Sequence, residues 1–154
     1  LTRFGSYWTV TDSRSLFDNG YAPTVGPHID IDGQFDSALR TFVSVCRANG
    51  LNPVLATQPH RLADPAIAAY IRDLPDVPRQ HWLDVQRRFN DIIRDVAREE
   101  GVPLIDLERI VPQDAAHLYD AVHLTEQGCS ISADSVAAVL SKGLDHNGHY
   151  PHGD

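Results

Sequence analysis

The spacing of hydrophobic positions changes along this chain, and each change marks an element. Phe35, Leu39, Phe42, Val43 and Cys46 recur at helical intervals and Asn49-Gly50 supplies a stop, which predicts a first helix beginning at Phe35. Ahead of it, only Tyr7-Trp8-Thr9-Val10-Thr11 has strand character; the rest of residues 1–34 is rich in Gly, Pro and Asp and predicts an irregular segment. Asn52 to Gln58 is a short apolar run that ends at Pro59, as a strand buried on both faces would. The Pro-punctuated stretch from Pro59 to Pro78 predicts a long connection with at most one short helix around Ala66 to Arg72.

Trp82, Val85, Phe89, Ile92, Ile93 and Val96 then share one face of a long helix that Gly101 ends. Val102-Pro103-Leu104-Ile105-Asp106-Leu107 predicts a second buried strand, and the loop after it runs to Leu124. A last helix is expected from Glu126, with Thr125 as N-cap and Cys129, Ala133, Val136, Ala137 and Leu140 on its inner face. Helix, strand, helix, strand, helix is the alternation of an α/β fold with a parallel sheet covered by helices. In such sheets ligands gather beyond the carboxyl ends of the strands, where both long connections leave. Two strands are too few for an independent sheet, so the expectation is that further strands come from elsewhere. The organisation read from the chain is an irregular segment over 1–34, an α/β unit over 35–141 and a polar, His-rich tail over 142–154.

Composition narrows the function classes. The 154 residues are 42% hydrophobic, which fits one domain with a core, and the formal net charge of −8 opposes a nucleic-acid or anionic-membrane partner. No apolar run approaches the roughly 20 residues of a membrane span. Cys46 and Cys129 are the only cysteines, and both are expected as buried thiols, with a single bridge between them as the alternative. Leu1 stands where an initiator methionine would, and the chain contains no methionine, so the expectation is that it is part of a larger polypeptide.

The candidate chemistry lies in the loop after the second strand. A histidine acts as general base toward a hydroxyl only when a carboxylate on its other ring nitrogen holds tautomer and orientation, and Asp120-Ala121-Val122-His123 offers that pair from one tight loop. The spacing alone also fits a surface carboxylate beside a loop histidine. His117 is set aside as a base on the reading that no carboxylate precedes it at the same spacing; Pro59-His60-Arg61 leaves a strand end, where it could touch substrate, but is expected rather as a solvated loop. His146, His149 and His152 are read as a polar tail rather than a metal site, because the Gly and Pro among them fix no ligand geometry. No cofactor or metal is expected.

Asp120-Ala121-Val122-His123-Leu124-Thr125-Glu126-Gln127-Gly128 resembles the last block of the SGNH, or GDSL, hydrolase family, Asp-x-x-His-Leu/Pro-x-x-x-Gly. The resemblance extends upstream through Arg94 to Leu107 and through Arg47 to Pro59, and covers about residues 35 to 141. It implies a three-layer α/β/α sandwich of flavodoxin-like SGNH type, of which this chain is the C-terminal part. It also implies hydrolysis of a small-molecule or glycan acyl ester, with His123 as base and Asp120 as its orienting carboxylate. That family carries its serine in a Gly-Asp-Ser block, followed by a glycine and a Gly-x-Asn-Asp block for the oxyanion hole, and none of the three is recognisable here. Thr11-Asp12-Ser13 is the nearest imitation, but Thr11 replaces the glycine and the stretch to Phe35 leaves no room for the other two blocks. The serine is therefore expected upstream or on a companion chain. The competing expectation is a non-catalytic α/β binding or interaction module without a nucleophile.

Overall fold

The computed structural model describes residues 30–67 and 79–142. The strand expected at Tyr7 to Thr11, Ser13, most of the short helix around Ala66 to Arg72 and the His-rich tail lie outside them. Helix α1 spans Ile31–Ala48 and starts ahead of Phe35, because the Asp30 side chain accepts the Gly33 backbone N–H at 2.9 Å and caps the first turn. It ends in a Schellman turn: Gly50 has φ 69°, its N–H donates to Arg47 O, and Leu51 N–H donates back to Cys46 O. Helix α2, Arg79–Glu100, ends the same way, with Gly101 at φ 63° and Val102 N–H on Ala97 O.

Strands β1 (Leu55–Ala56) and β2 (Leu104–Ile105) pair in parallel, Leu55 opposite Leu104 and Ala56 opposite Ile105. Both are shorter than the apolar runs that contain them. Pro53 and Pro103 have no N–H to give a ladder, and beyond Thr57 the backbone turns to a side chain for its partners. Among the described residues the sheet has these two strands, in a helix-rich mixed α/β arrangement.

The main core forms where α1 crosses α2 over the strand pair. Val43, Leu55, Ile93, Val96, Ala97 and Val102 are buried together, with Phe35, Leu39, Ile92 and Leu104 against them. The Phe35 and Phe89 rings stack at 4.7 Å between centroids. A second cluster, Leu62, Ile67 and Leu83, receives Ala121 from the loop that holds Asp120 and His123. Trp82, expected on the inner face of α2, is 42% exposed; Leu83 beside it is buried instead.

Helix α3, Leu107–Ile110, follows β2 directly, and α4, Glu126–Lys142, closes the described chain. Thr125 caps α4 as expected, its Oγ1 accepting Gly128 N–H at 3.3 Å. The expected inner face of α4 is corrected: Gly128 and Ser132 are buried, whereas Cys129, Ala133, Ala137 and Leu140 are exposed. The reason is a close backbone approach at Gly128, described below, which turns the helix by one residue, or about 100°. Cys46 is half-buried and Cys129 exposed, both as free thiols, which also corrects the expectation of two buried cysteines. Among the described residues no helix is long and apolar enough to cross a membrane.

Candidate functional site

The Asp120–His123 loop is built by its own short-range bonds. Tyr119 N–H donates to His123 O at 3.1 Å, Leu118 and Leu124 form an antiparallel bridge, and Thr125 N–H donates to His117 O at 2.9 Å. Asp120 Oδ1 accepts the backbone N–H groups of Val122 at 2.9 Å and His123 at 2.8 Å, the turn geometry that a short carboxylate side chain favours. Its other oxygen, Oδ2, lies 2.7 Å from His123 Nδ1. The structure thus brings the two sequence-derived site residues together.

With Nδ1–H given to the carboxylate, the lone pair of the neutral ring is on Nε2, and the His123 side chain is 65% exposed. Tyr119 stacks on the imidazole, ring centroids 5.6 Å apart and planes at 13°, which restrains the ring in its orientation. Burial pushes the Asp120 carboxyl up, but the Val122 and His123 N–H groups and the imidazole outweigh it and hold the group below its ordinary value. Asp120 is therefore a carboxylate at neutral pH, as an orienting partner must be.

A second pair stands just upstream and corrects the reading of His117. Asp114 precedes His117 by three residues, accepts the N–H groups of Ala116 and His117 on Oδ1, and holds His117 Nδ1 at 2.7 Å. The hydrogen bond to His117 is the main reason that the Asp114 carboxyl lies below its ordinary value. The two turns have the same local chemistry but different surroundings. The His117 side chain is only 19% exposed, and its carbonyl accepts Thr125 N–H while Thr125 Oγ1 bonds to Ala116 O. That turn seats the start of α4, whereas the His123 turn faces outward.

What holds the outward loop to the fold comes from the exit of β1. Arg61, expected in solvent, is 6% exposed: its backbone N–H donates to Ala121 O at 2.8 Å and its Nη1 to Leu118 O. Arg61 Nε lies 2.9 Å from Asp64 Oδ2, which balances the buried charge. Gln58 Nε2 reaches Val122 O at 3.3 Å. His60, also expected in solvent, is 1% exposed and pairs through Nε2 with Glu108 Oε1 at 2.9 Å. These side chains are carried inward because the β1 exit runs beneath the loop that follows β2.

The two strand exits are tied by a polar network. Arg94 from α2 bonds to Asp106 Oδ2 through Nε at 2.9 Å, and through Nη2 to Asp106 Oδ1 at 2.7 Å and to Glu108. Thr57 Oγ1 donates to Asp106 Oδ1 and accepts Glu108 N–H, both at 2.9 Å. Arg94 is the main cause holding the Asp106 carboxyl below its usual value, and the network raises Arg94 in turn. Asn90, fully buried on α2, closes a ring with the Gln58 backbone: Oδ1 accepts Gln58 N–H and Nδ2 donates to Gln58 O, each at 2.9 Å. Among the described residues it takes the place of a strand partner for Gln58. The one signal for it in the sequence is an amide within the apolar face of α2.

No protein-family model and no curated protein sequence matches the chain. Among solved structures, it is similar to the crystal structure of LAE5, an alpha/beta hydrolase enzyme from the metagenome of Lake Arreo, Spain, with a TM-score of 0.51 and 17% sequence identity. The match covers 80% of this chain and 54% of that one, so the chain spans about half the length of its structural neighbour. At this identity the likeness is one of fold, and the chain shares a coarse α/β fold with LAE5.

Proposed function

We propose that this chain carries the base and orienting carboxylate of a serine ester hydrolase, within a three-layer α/β/α sandwich of SGNH type. The observation that supports it most is the 2.7 Å contact between Asp120 Oδ2 and His123 Nδ1, with Nε2 of the same ring facing out. The loop leaves the carboxyl end of β2, where ligands of parallel sheets gather, and the fold is similar to that of an alpha/beta hydrolase enzyme. His123 is favoured over His117 because its ring is open to a reaction partner.

In this reading His123 Nε2 takes the proton of a serine hydroxyl as that oxygen attacks an ester carbonyl. It returns the proton to the departing alcohol, leaving an acyl-serine. A water then gives a proton to the same nitrogen as its oxygen attacks the acyl carbonyl, and the nitrogen returns that proton to the serine oxygen as the acid leaves. Asp120 stabilises the imidazolium in both steps and stays ionised. The serine and the oxyanion donors come from outside the described residues, upstream or on a companion chain, and the substrate is a small-molecule or glycan acyl ester. No metal or cofactor enters these steps.

The test is His123→Ala in the full-length protein, read with p-nitrophenyl acetate. Turnover is expected to fall by about 10³-fold or more, and unchanged turnover refutes the assignment. Labelling by a fluorophosphonate provides the second readout. Failure to label any chain of the intact protein favours a binding module that lacks the nucleophile.

A further inference from the structure

The internal bonds of the Asp120–His123 loop give it a shape, but a base must also stand at a fixed distance from its nucleophile. Three carbonyls of this loop, those of Leu118, Ala121 and Val122, are held by the two residues Arg61 and Gln58 at the exit of the other strand. Resting on the hydrolase reading above, we propose that Arg61 is a positioning residue, whose buried guanidinium sets where the Asp120–His123 pair stands relative to the nucleophile.

The division of labour follows from which bonds are local. The Asp120 to His123 contact, the two N–H bonds to Asp120 Oδ1 and the Tyr119 N–H to His123 O bond all lie within five consecutive residues. They persist wherever the loop sits. The Arg61 side chain acts across the fold: Nη1 donates to Leu118 O, 57 residues away in sequence, while Nε faces Asp64 Oδ2 at 2.9 Å. A planar guanidinium spans a carbonyl on one side and a carboxylate on the other: its Nη1 bond to Leu118 O is charge-assisted, while Asp64 pairs with the charge without accepting a hydrogen bond from Nε. An ammonium at the end of a lysine presents a single point of donation and does not bridge the two.

Arg61 is 6% exposed and Leu118 is fully buried, so no water replaces the lost donor without rearrangement. The loop then relaxes outward from the β1 exit. On the other side it stays anchored by Thr125 at the start of α4, so the displacement is a tilt rather than release. Misplacement of a reacting group by about 1 Å costs about 10²-fold in rate.

The experiment compares Arg61→Lys, Arg61→Ala, Gln58→Ala, Asp120→Asn and His123→Ala in the full-length protein. Its readouts are melting temperature, kcat and KM for p-nitrophenyl acetate, and the downfield proton signal of the His123 Nδ1–H bonded to Asp120. Both Arg61 variants are expected to lose about 10²-fold in kcat, with the Nδ1 proton signal retained. Asp120→Asn is expected to lose the signal and the rate together. Gln58→Ala, which removes one bond from a solvent-facing residue, is expected to fold and to lose a smaller part of kcat. If Arg61→Ala does not fold, Arg61→Lys and Gln58→Ala decide.

Folded Arg61 variants that keep wild-type kcat while His123→Ala is inactive overturn the proposal and leave the hydrolase reading standing. Loss of the Nδ1 signal in Arg61→Lys also overturns it, since Arg61 would then support the pair itself rather than its place. Turnover that survives His123→Ala instead removes the reading on which the proposal rests.

Discussion

Gly128→Ala isolates the contact that sets the last helix against the candidate site. Glycine inside a helix is ordinarily a weakness, and alanine there gains up to about 1 kcal/mol. Here a Cβ would stand 2.2 Å from the His117 carbonyl oxygen, 3.1 Å from its carbon and 3.0 Å from Leu124 Cδ2. Carbon and oxygen come to rest at about 3.3 Å, so the helix start and the His117 carbonyl must part by about 1 Å. Two of the three contacts are backbone atoms, which have no rotamer to escape into.

The same carbonyl accepts Thr125 N–H at 2.9 Å, so the displacement also strains the bond that seats the helix cap. Overpacking costs about 1–3 kcal/mol, and a weakened hydrogen bond adds up to about 1 kcal/mol. Set against the propensity gain, the net loss is about 1–3 kcal/mol. Urea unfolding of Gly128→Ala should show a lower midpoint at unchanged slope. A variant as stable as the parent, or more so, refutes the claim that this close approach dictates glycine. Because His123 lies two residues before the cap, the ester turnover that the proposed function assigns should fall as well in the folded variant.

Asn90→Ala removes both partners of the Gln58 backbone, and the cost of orphaning those groups gives an expected loss of about 1–3 kcal/mol in urea unfolding. A change below about 0.5 kcal/mol would mean that the amide ring is not what holds the β1 exit. Acid should destabilise the fold. Asp36, whose carboxyl is lowered chiefly by its bond to Arg40, joins Asp106, Asp114 and Asp120 in lying below the ordinary carboxylate value. The unfolded chain then binds more protons than the folded one in that window, so these groups stabilise fully above about pH 4. Their contribution is lost as pH falls through the lowered folded values. A urea midpoint that is flat or rises between about pH 4.5 and 3 contradicts this sign.

Much of the local structure was legible from the chain. The glycine stops at Gly50 and Gly101, the Thr125 cap, the two apolar runs that contain the strands and the long amphipathic helix follow from neighbours within a turn or two. The Asp120–His123 pair was legible for the same reason: three residues separate the partners, and the turn that joins them is built by the aspartate itself. The Asp114–His117 pair has identical spacing and was equally available to such reading. What separates the pairs is exposure, which spacing does not encode.

By itself, then, the sequence determined the order of the long helices and the two strands, the glycine stops and the Thr125 cap, and an aspartate bound to a histidine, because each depends on contacts a few residues apart. Tertiary structure decided which of two such pairs faces outward, which face of the last helix is buried, and how the loop is held. Gly128 against His117, Asn90 against Gln58, His60 against Glu108 and Arg61 against Leu118 join segments from different elements. Hydrophobic periodicity reports burial of apolar side chains along one helix or strand. It carries no information on a buried charge or amide whose partner is a backbone group elsewhere in the chain, and those bonds place the candidate site in the fold.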